Sequence, residues 1–154
     1  MPAANEFEVL FQDAFDTFKV FHNITTEETG CILPQAPKTI WQILNHLISW
    51  QEYQIGLLQS DGQAFLKEDA TWINQPGATS QEELQQALLK FNSQTEQVKY
   101  QISKLDANDL SVFTKLKVVQ DLSVHLSFHL GEIILMRRML GTYPWPHQMK
   151  EFLM

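Results

Sequence analysis

Apolar residues recur at three- and four-residue steps in four segments of the chain, which is the spacing of one face of an α-helix. The predicted helices span about residues 5–22, 39–60, 80–104 and 115–140. A connection of about residues 61–79 separates the second helix from the third, and connections of this length are often functional. The pattern predicts an all-α fold, a four-helix bundle with a long connection between helices 2 and 3.

Residues that favour helix ends support these boundaries. Thr39 opens a capping-box pattern at the second helix, and Thr79 or Ser80 is a natural N-cap for the third. Gly141 is a favourable stop for the fourth helix, and Arg137 suits the negative C-terminal end just before it. The ends of three predicted helices are therefore marked by residues as well as by periodicity.

Composition narrows the class of protein. With 154 residues, 44% of them apolar, the chain is expected to form one domain over residues 1–154. Its formal net charge of −7 disfavours binding to nucleic acid or to an anionic membrane surface. No apolar run suits a membrane span, and the acidic N-terminal stretch does not resemble a signal peptide, so a cytoplasmic location is expected. Cys31 is the only cysteine and can form no internal disulfide.

The candidate chemistry lies in three histidines. His125 and His129 are four residues apart on the fourth predicted helix, so their imidazoles share a face and can chelate one metal ion. Transition metals need at least a third ligand, and His46 in the apolar second helix could supply it. His46 alone could be a hydrogen-bonded core residue, and the pair alone could lie on a solvated face. Together they favour a metal site, because three buried imidazoles without a cation would lack partners.

Other polar residues near this stripe have possible supporting roles. Glu132 and Asp121 continue it and are candidates to orient an imidazole N–H, while Tyr53 could line the pocket. His22 and His147 are expected to be structural or surface residues. The four tryptophans are expected in the core or at the rim of the site: Trp41, Trp50, Trp72 and Trp145.

Two segments give the chain a specific resemblance. "TIWQILNHLISW" and "DLSVHLSFHLGEIILMRRMLG", separated by the long connection, resemble the DinB-like (YfiT-like) superfamily. In that family one histidine comes from the second helix and an HxxxH pair from the last, which correspond here to His46, His125 and His129. The resemblance implies a four-helix bundle that binds a divalent metal, with zinc, nickel, iron and manganese as candidates, and leaves one position open for water. The residue after Gly131 is commonly glutamine in such sequences, and here it is Glu132, which could be a metal ligand or a catalytic base.

The resemblance also implies an activity. Characterised relatives include metal-dependent transferases that use a low-molecular-weight thiol as cosubstrate, and thiol-dependent isomerases. A thiol-dependent transferase acting on small electrophilic molecules is therefore the first functional hypothesis. A hydrolase with Glu132 as base and a non-catalytic metal-binding stress-response protein are the alternatives. A homodimer is also expected, because such proteins often pair and the first predicted helix carries more phenylalanine than one bundle face easily uses.

Overall fold

All regular secondary structure in the described part of the chain is helical. The structure, a computed structural model, describes residues 5–15, 18–59 and 65–154. Within these ranges it contains the helices α1 (Glu6–Leu10), α2 (Thr26–Thr29), α3 (Ile40–Gln59), α4 (Gln81–Ser103), α5 (Val112–Met139) and α6 (Met149–Leu153), with short 3₁₀ turns at Glu68–Thr71 and Pro146–Gln148. No strand occurs in the described residues, which confirms the all-α class. None of the described helices has the length and apolar character needed to cross a membrane.

The prediction of a first helix over residues 5–22 is wrong, because the helix that forms there is much shorter. Helix α1 ends at Leu10 and turns follow it, while residues 16 and 17 lie outside the described part. Asp13, Phe18 and Lys19 have φ angles of 63°, 51° and 51°, which belong to the left-handed region and cannot continue a right-handed helix. Most phenylalanines of this segment still pack inward, as shown by Phe15, which is only 3% exposed, although Phe18 is 59% exposed. Their spacing therefore reflects contact with the core from a series of turns.

The other three long helices form where the pattern predicts them. At α3, the backbone N–H of Thr39 donates to Gln42 Oε1 (3.0 Å), and the N–H of Gln42 donates to Thr39 Oγ1 (3.2 Å), which completes the capping box. At α4, Ser80 Oγ accepts a hydrogen bond from the N–H of Glu83 (3.1 Å). Helix α5 begins at Val112, slightly before the predicted start. After α5, Gly141 has a φ of 76°, the left-handed conformation of a helix stop.

Helix α3 lies at the centre of the structure and packs against both α4 and α5. This position explains why most of its side chains are buried, with Gln42, Asn45, Ser49 and Glu52 forming a polar stripe on its less buried side. The fully buried core residues contributed by these helices include Leu44, Leu47, Leu84, Phe91, Val98, Val119 and Ile133. The 3₁₀ turn Glu68–Thr71 contacts α3 directly. The long connection thus returns to the helix that carries His46.

Arg137 ties the segment before α3 to the end of α5. It lies in the last turn of α5, as expected, and it is only 1% exposed. Its Nε donates to Glu28 Oε1 (2.7 Å), and its terminal nitrogens donate to the carbonyl oxygens of Val20 (2.6 Å) and His22 (2.9 Å). These bonds satisfy carbonyl groups in a segment that has little helix of its own, so the arginine is needed inside the fold.

Candidate metal centre

Helices α3 and α5 bring three imidazoles together. His46 projects from α3, and His125 and His129 project from successive turns of α5. One ring nitrogen from each histidine can be chosen so that all three lie within 4.8 Å of one another. His46 and His129 are buried, whereas His125 is half-buried. The cluster is therefore closed on the core side and accessible at one imidazole.

The spacing of these nitrogens fits a metal ion. His46 Nε2 and His125 Nε2 are 3.1 Å apart. Two nitrogens that each lie about 2.0–2.1 Å from a tetrahedral zinc ion are about 3.3 Å from each other. Imidazole nitrogens are good ligands for zinc, copper, iron and nickel. The His46–His125 spacing therefore suits a divalent transition metal, while nitrogens as much as 4.8 Å apart must move closer to share one ion.

The electrostatic surroundings keep two of the imidazoles neutral. Burial, reinforced by His125, His129 and Lys38, lowers the pKa of His46 to about 3. Burial, reinforced by His129, lowers the pKa of His125 to about 4. A metal binds only the unprotonated ring. Both imidazoles therefore offer a lone pair throughout the neutral and mildly acidic range.

Of the two carboxylates proposed to orient the imidazoles, the structure places only Glu132 against a histidine. Glu132 Oε1 lies 3.2 Å from His129 Nδ1, so that nitrogen can donate and leave Nε2 free for a metal. Asp121 instead binds Lys117 Nζ at 2.6 Å on the exposed side of α5. No hydrogen bond among the described residues joins Asp121 to an imidazole, so its expected orienting role is not supported.

The long connection contributes two side chains to the site: Thr71, which the sequence pattern did not reveal, and Trp72, which was expected in the core or at the rim. Thr71 Oγ1 is 2.6 Å from His46 Nδ1. The Trp72 ring stacks on the His46 ring with centroids 3.8 Å apart and planes 7° from parallel. Lys38 Nζ lies over the Trp72 ring, 5.0 Å from the ring centroid. For Thr71, the length of the connection was the only signal in the sequence.

Of the remaining aromatic and histidine candidates, some lie at the rim of the histidine cluster and others lie on the surface. The Trp50 ring lies 5.5 Å from the His125 ring, and Tyr53 packs edge-on against Trp50 at 5.9 Å. His22 and His147 are exposed and lie outside the cluster. Trp50 therefore borders the site, and Tyr53 forms part of the layer behind it.

An open hollow of about 490 Å³ lies next to the half-buried histidine. His125 forms part of its lining, together with Val124 and Phe128, which are both largely exposed. Lys117 and Asp121 line its polar side. A small molecule that reaches the cluster from this side would meet one imidazole between apolar and charged groups.

The all-α fold and the three converging imidazoles together make this chain a helical protein with a candidate metal centre. The sequence model of the DinB superfamily matches residues 13–133, which include all three histidines. The chain therefore belongs to the DinB superfamily, and the resemblance stated from its sequence is confirmed. Comparisons with curated proteins and with solved structures give no match.

Proposed function

We propose that the chain forms a single domain over residues 1–154 that binds one divalent transition metal ion through His46, His125 and His129. The observation that carries this proposal is the convergence of the three imidazoles from two helices. In the same proposal, the turns around α1 occupy the place of the first helix in a four-helix bundle. Zinc, nickel, iron and manganese are the candidate ions that the family resemblance implies, and imidazole ligands favour the first three over manganese.

The proposed activity is a metal-dependent transfer of a low-molecular-weight thiol to a small electrophilic molecule. A bound ion would supply a Lewis acid that lowers the pKa of a thiol. His125 is half-buried beside an open hollow, which gives small molecules a route to the cluster. Trp72 and the core cover His46, so this route lies on the α5 side. The choice of a thiol rests on what the family resemblance implies.

The position of Glu132 helps to distinguish the proposed transferase from a hydrolase. Its carboxylate contacts His129 Nδ1, which supports an orienting role for Glu132 more than the role of a free base. A hydrolase with Glu132 as base is the second candidate, since the side chain is only half-buried and can reach solvent. Turnover of an alkylating electrophile only with thiol selects the transferase, and ester turnover without thiol selects the hydrolase. Stoichiometric metal with neither activity selects a non-catalytic stress-response protein.

The test of the metal site is elemental analysis of purified protein. The wild type should contain about one metal ion per chain, and His125→Ala or His129→Ala should lose it because two imidazoles bind transition metals too weakly to survive purification. His22→Ala and His147→Ala remove exposed histidines and should leave the metal content unchanged. Unchanged metal content in His125→Ala would reject the assigned ligands.

A second copy of the chain is the proposed macromolecular partner, in a cytoplasmic setting and without nucleic acid. The phenylalanines of the first predicted helix give less support for a dimer than expected, because Phe15 is buried and Phe7, Phe11 and Phe21 pack against the core. Support comes instead from α5. Its outward face exposes apolar side chains that lie within about a quarter turn of one another at 100° per residue, on both sides of the exposed Lys117–Asp121 ion pair. They are Phe113, Val124, Phe128, Leu135 and Met139.

A further inference from the structure

The buried hydroxyl of Thr71 connects the long connection to His46 through two short hydrogen bonds. Thr71 Oγ1 is 2.5 Å from the carbonyl oxygen of Glu68 and 2.6 Å from His46 Nδ1. Thr71 is fully buried, so water does not compete for either bond. The hydroxyl has one hydrogen and can therefore donate to only one of these two neighbours, while its oxygen can also accept.

The positions of the hydrogens follow from what each neighbour can do. A carbonyl oxygen only accepts, so the Thr71 hydroxyl donates to Glu68. The Thr71 oxygen then has only lone pairs left for His46, and Nδ1 must be the donor. A neutral imidazole carries one proton, so Nε2 of His46 bears a lone pair, and this nitrogen faces His125 Nε2 at 3.1 Å.

The neighbouring tryptophan keeps this ring from turning over. The near-parallel contact of Trp72 with His46 covers one face of the imidazole, and Lys38 lies over Trp72. A half-turn of the ring about the Cβ–Cγ bond would put Cδ2 in the place of Nδ1 and break the bond to Thr71. Thr71 and Trp72 are adjacent in sequence, so one short piece of the connection both stacks on the ring and accepts its proton.

We infer that Thr71 is a positioning residue that fixes His46 in the tautomer with its proton on Nδ1 and its lone pair on Nε2, directed into the cluster. The tautomer itself follows from the hydrogen bonds of the protein alone. Its consequence for metal affinity rests on the proposed function. In this arrangement the connection, rather than α3, prepares one of the three nitrogens for coordination.

The tautomer can be measured directly by nitrogen-15 NMR of the imidazole rings in the metal-free protein, with His46→Gln used to assign the His46 signals. Wild type should show a protonated Nδ1 and an unprotonated Nε2. Thr71→Val removes the hydroxyl but keeps the shape, and should give a mixture of tautomers or the Nε2-protonated form. Thr71→Ser restores a hydroxyl and should return the wild-type signals.

Zinc affinity, measured by competition with a chromophoric chelator, tests the consequence. Thr71→Val should bind zinc about 10–100-fold more weakly, as for other partners that hold a ligand in place. Thr71→Ser should stay within a few-fold of wild type. Thr29→Val is the matched control, because Thr29 is equally buried and donates to a carbonyl three residues earlier (2.6 Å). It should leave zinc affinity unchanged.

Two results would overturn the inference: an Nε2-protonated His46 in the wild type, or a Thr71→Val variant with wild-type tautomer and zinc affinity. Absence of zinc binding in the wild type would instead reject the proposed metal site. The NMR measurement needs no metal, so it still decides the tautomer in that case. Because it also uses the unsubstituted protein, a folding defect in Thr71→Val would not remove the test.

Discussion

At the scale of single residues, the cluster places titratable groups where charge is costly. His46 is fully buried between two other imidazoles and a lysine, and its pKa falls to about 3. His125 is less enclosed, and its pKa falls to about 4. An unfolded chain has neither constraint, and its histidines titrate near 6.5. The difference between folded and unfolded pKa values makes the stability of the metal-free protein depend on pH.

The sign of this dependence is fixed by the direction of the shifts. Between about pH 6.5 and pH 4 the unfolded chain binds more protons at these positions than the folded one. The free energy of unfolding should therefore be highest above about pH 6.5 and should fall as the pH falls through this window. Urea denaturation of the metal-free protein at a series of pH values measures how the free energy of unfolding changes with pH.

His46→Gln serves as the informative variant, because glutamine stays neutral throughout this range. Its unfolding free energy should decline less steeply between pH 6.5 and pH 4 than that of the wild type, while other groups contribute equally to both. His22→Gln replaces an exposed histidine and should keep the wild-type slope. Equal slopes for wild type and His46→Gln would mean that the cluster does not exclude protons as described.

The residues of the cluster differ in how far they could be predicted. The four-residue spacing of His125 and His129 on one helix predicts them as metal ligands, and the apolar surroundings of His46 predict that it points inward. Thr71 meets His46 from 25 residues away through a connection with no regular period. No local pattern records such a contact, since it depends on where the connection folds back. Tertiary placement therefore supplies the residues that orient the ligands.

At the scale of elements, the first part of the chain depends on contacts with α5. Arg137 links α5 to Glu28 and to the carbonyl oxygens of Val20 and His22. Thr142 Oγ1 also donates to Glu28 Oε1, which places a further bond on the same carboxylate. A buried carboxylate that loses its cation is strongly unfavourable. This network holds a segment whose own helices, α1 and α2, are very short.

Replacing Arg137 should therefore destabilise the whole protein. Arg137→Met should lower the free energy of unfolding by about 3–5 kcal/mol, because Glu28 would remain buried without its partner. Arg138→Met is the matched control, since Arg138 is less buried and donates to the carbonyl oxygen of Pro144 (2.8 Å) without a buried carboxylate. Chemical denaturation of both variants measures the difference. Similar losses in the two variants would contradict the role assigned to the buried pair.

The elements also differ in how well the sequence predicts them. Helices α3, α4 and α5 are long enough for periodicity and caps to agree, and they form close to the expected boundaries. The segment before α2 has a similar spacing of phenylalanines but folds as turns, with positive φ at Asp13, Phe18 and Lys19. Apolar spacing tells which side chains enter the core, and here the core is reached without a continuous helix.

At the scale of the whole molecule, the apolar outward face of α5 is the feature that a monomer does not use. Phe128 and Val124 are 68% and 64% exposed and lie next to the hollow at His125. Large exposed apolar groups close together often mark an interface. A second copy packed on this face would cover these side chains and border the entrance to the cluster.

Light scattering after size exclusion should thus give about twice the mass of the 17.8 kDa chain. Phe128→Glu should shift the protein to the monomer by placing a charge in the proposed interface. Tyr100→Glu is a control, because Tyr100 is also exposed, at 57%, but lies on α4. A monomeric wild type would remove the proposed dimer and would leave the metal site untouched.

The account depends most on the three imidazoles sharing one ion. X-ray absorption spectroscopy of the zinc-loaded protein tests this directly. The spectrum should be fitted by four nitrogen or oxygen ligands at about 2.0–2.1 Å, the distances of an open zinc site, with outer-shell scattering from three imidazole rings. A sulfur ligand at about 2.3 Å, which could come only from Cys31 or Met, or fewer than three imidazoles would contradict the proposed centre.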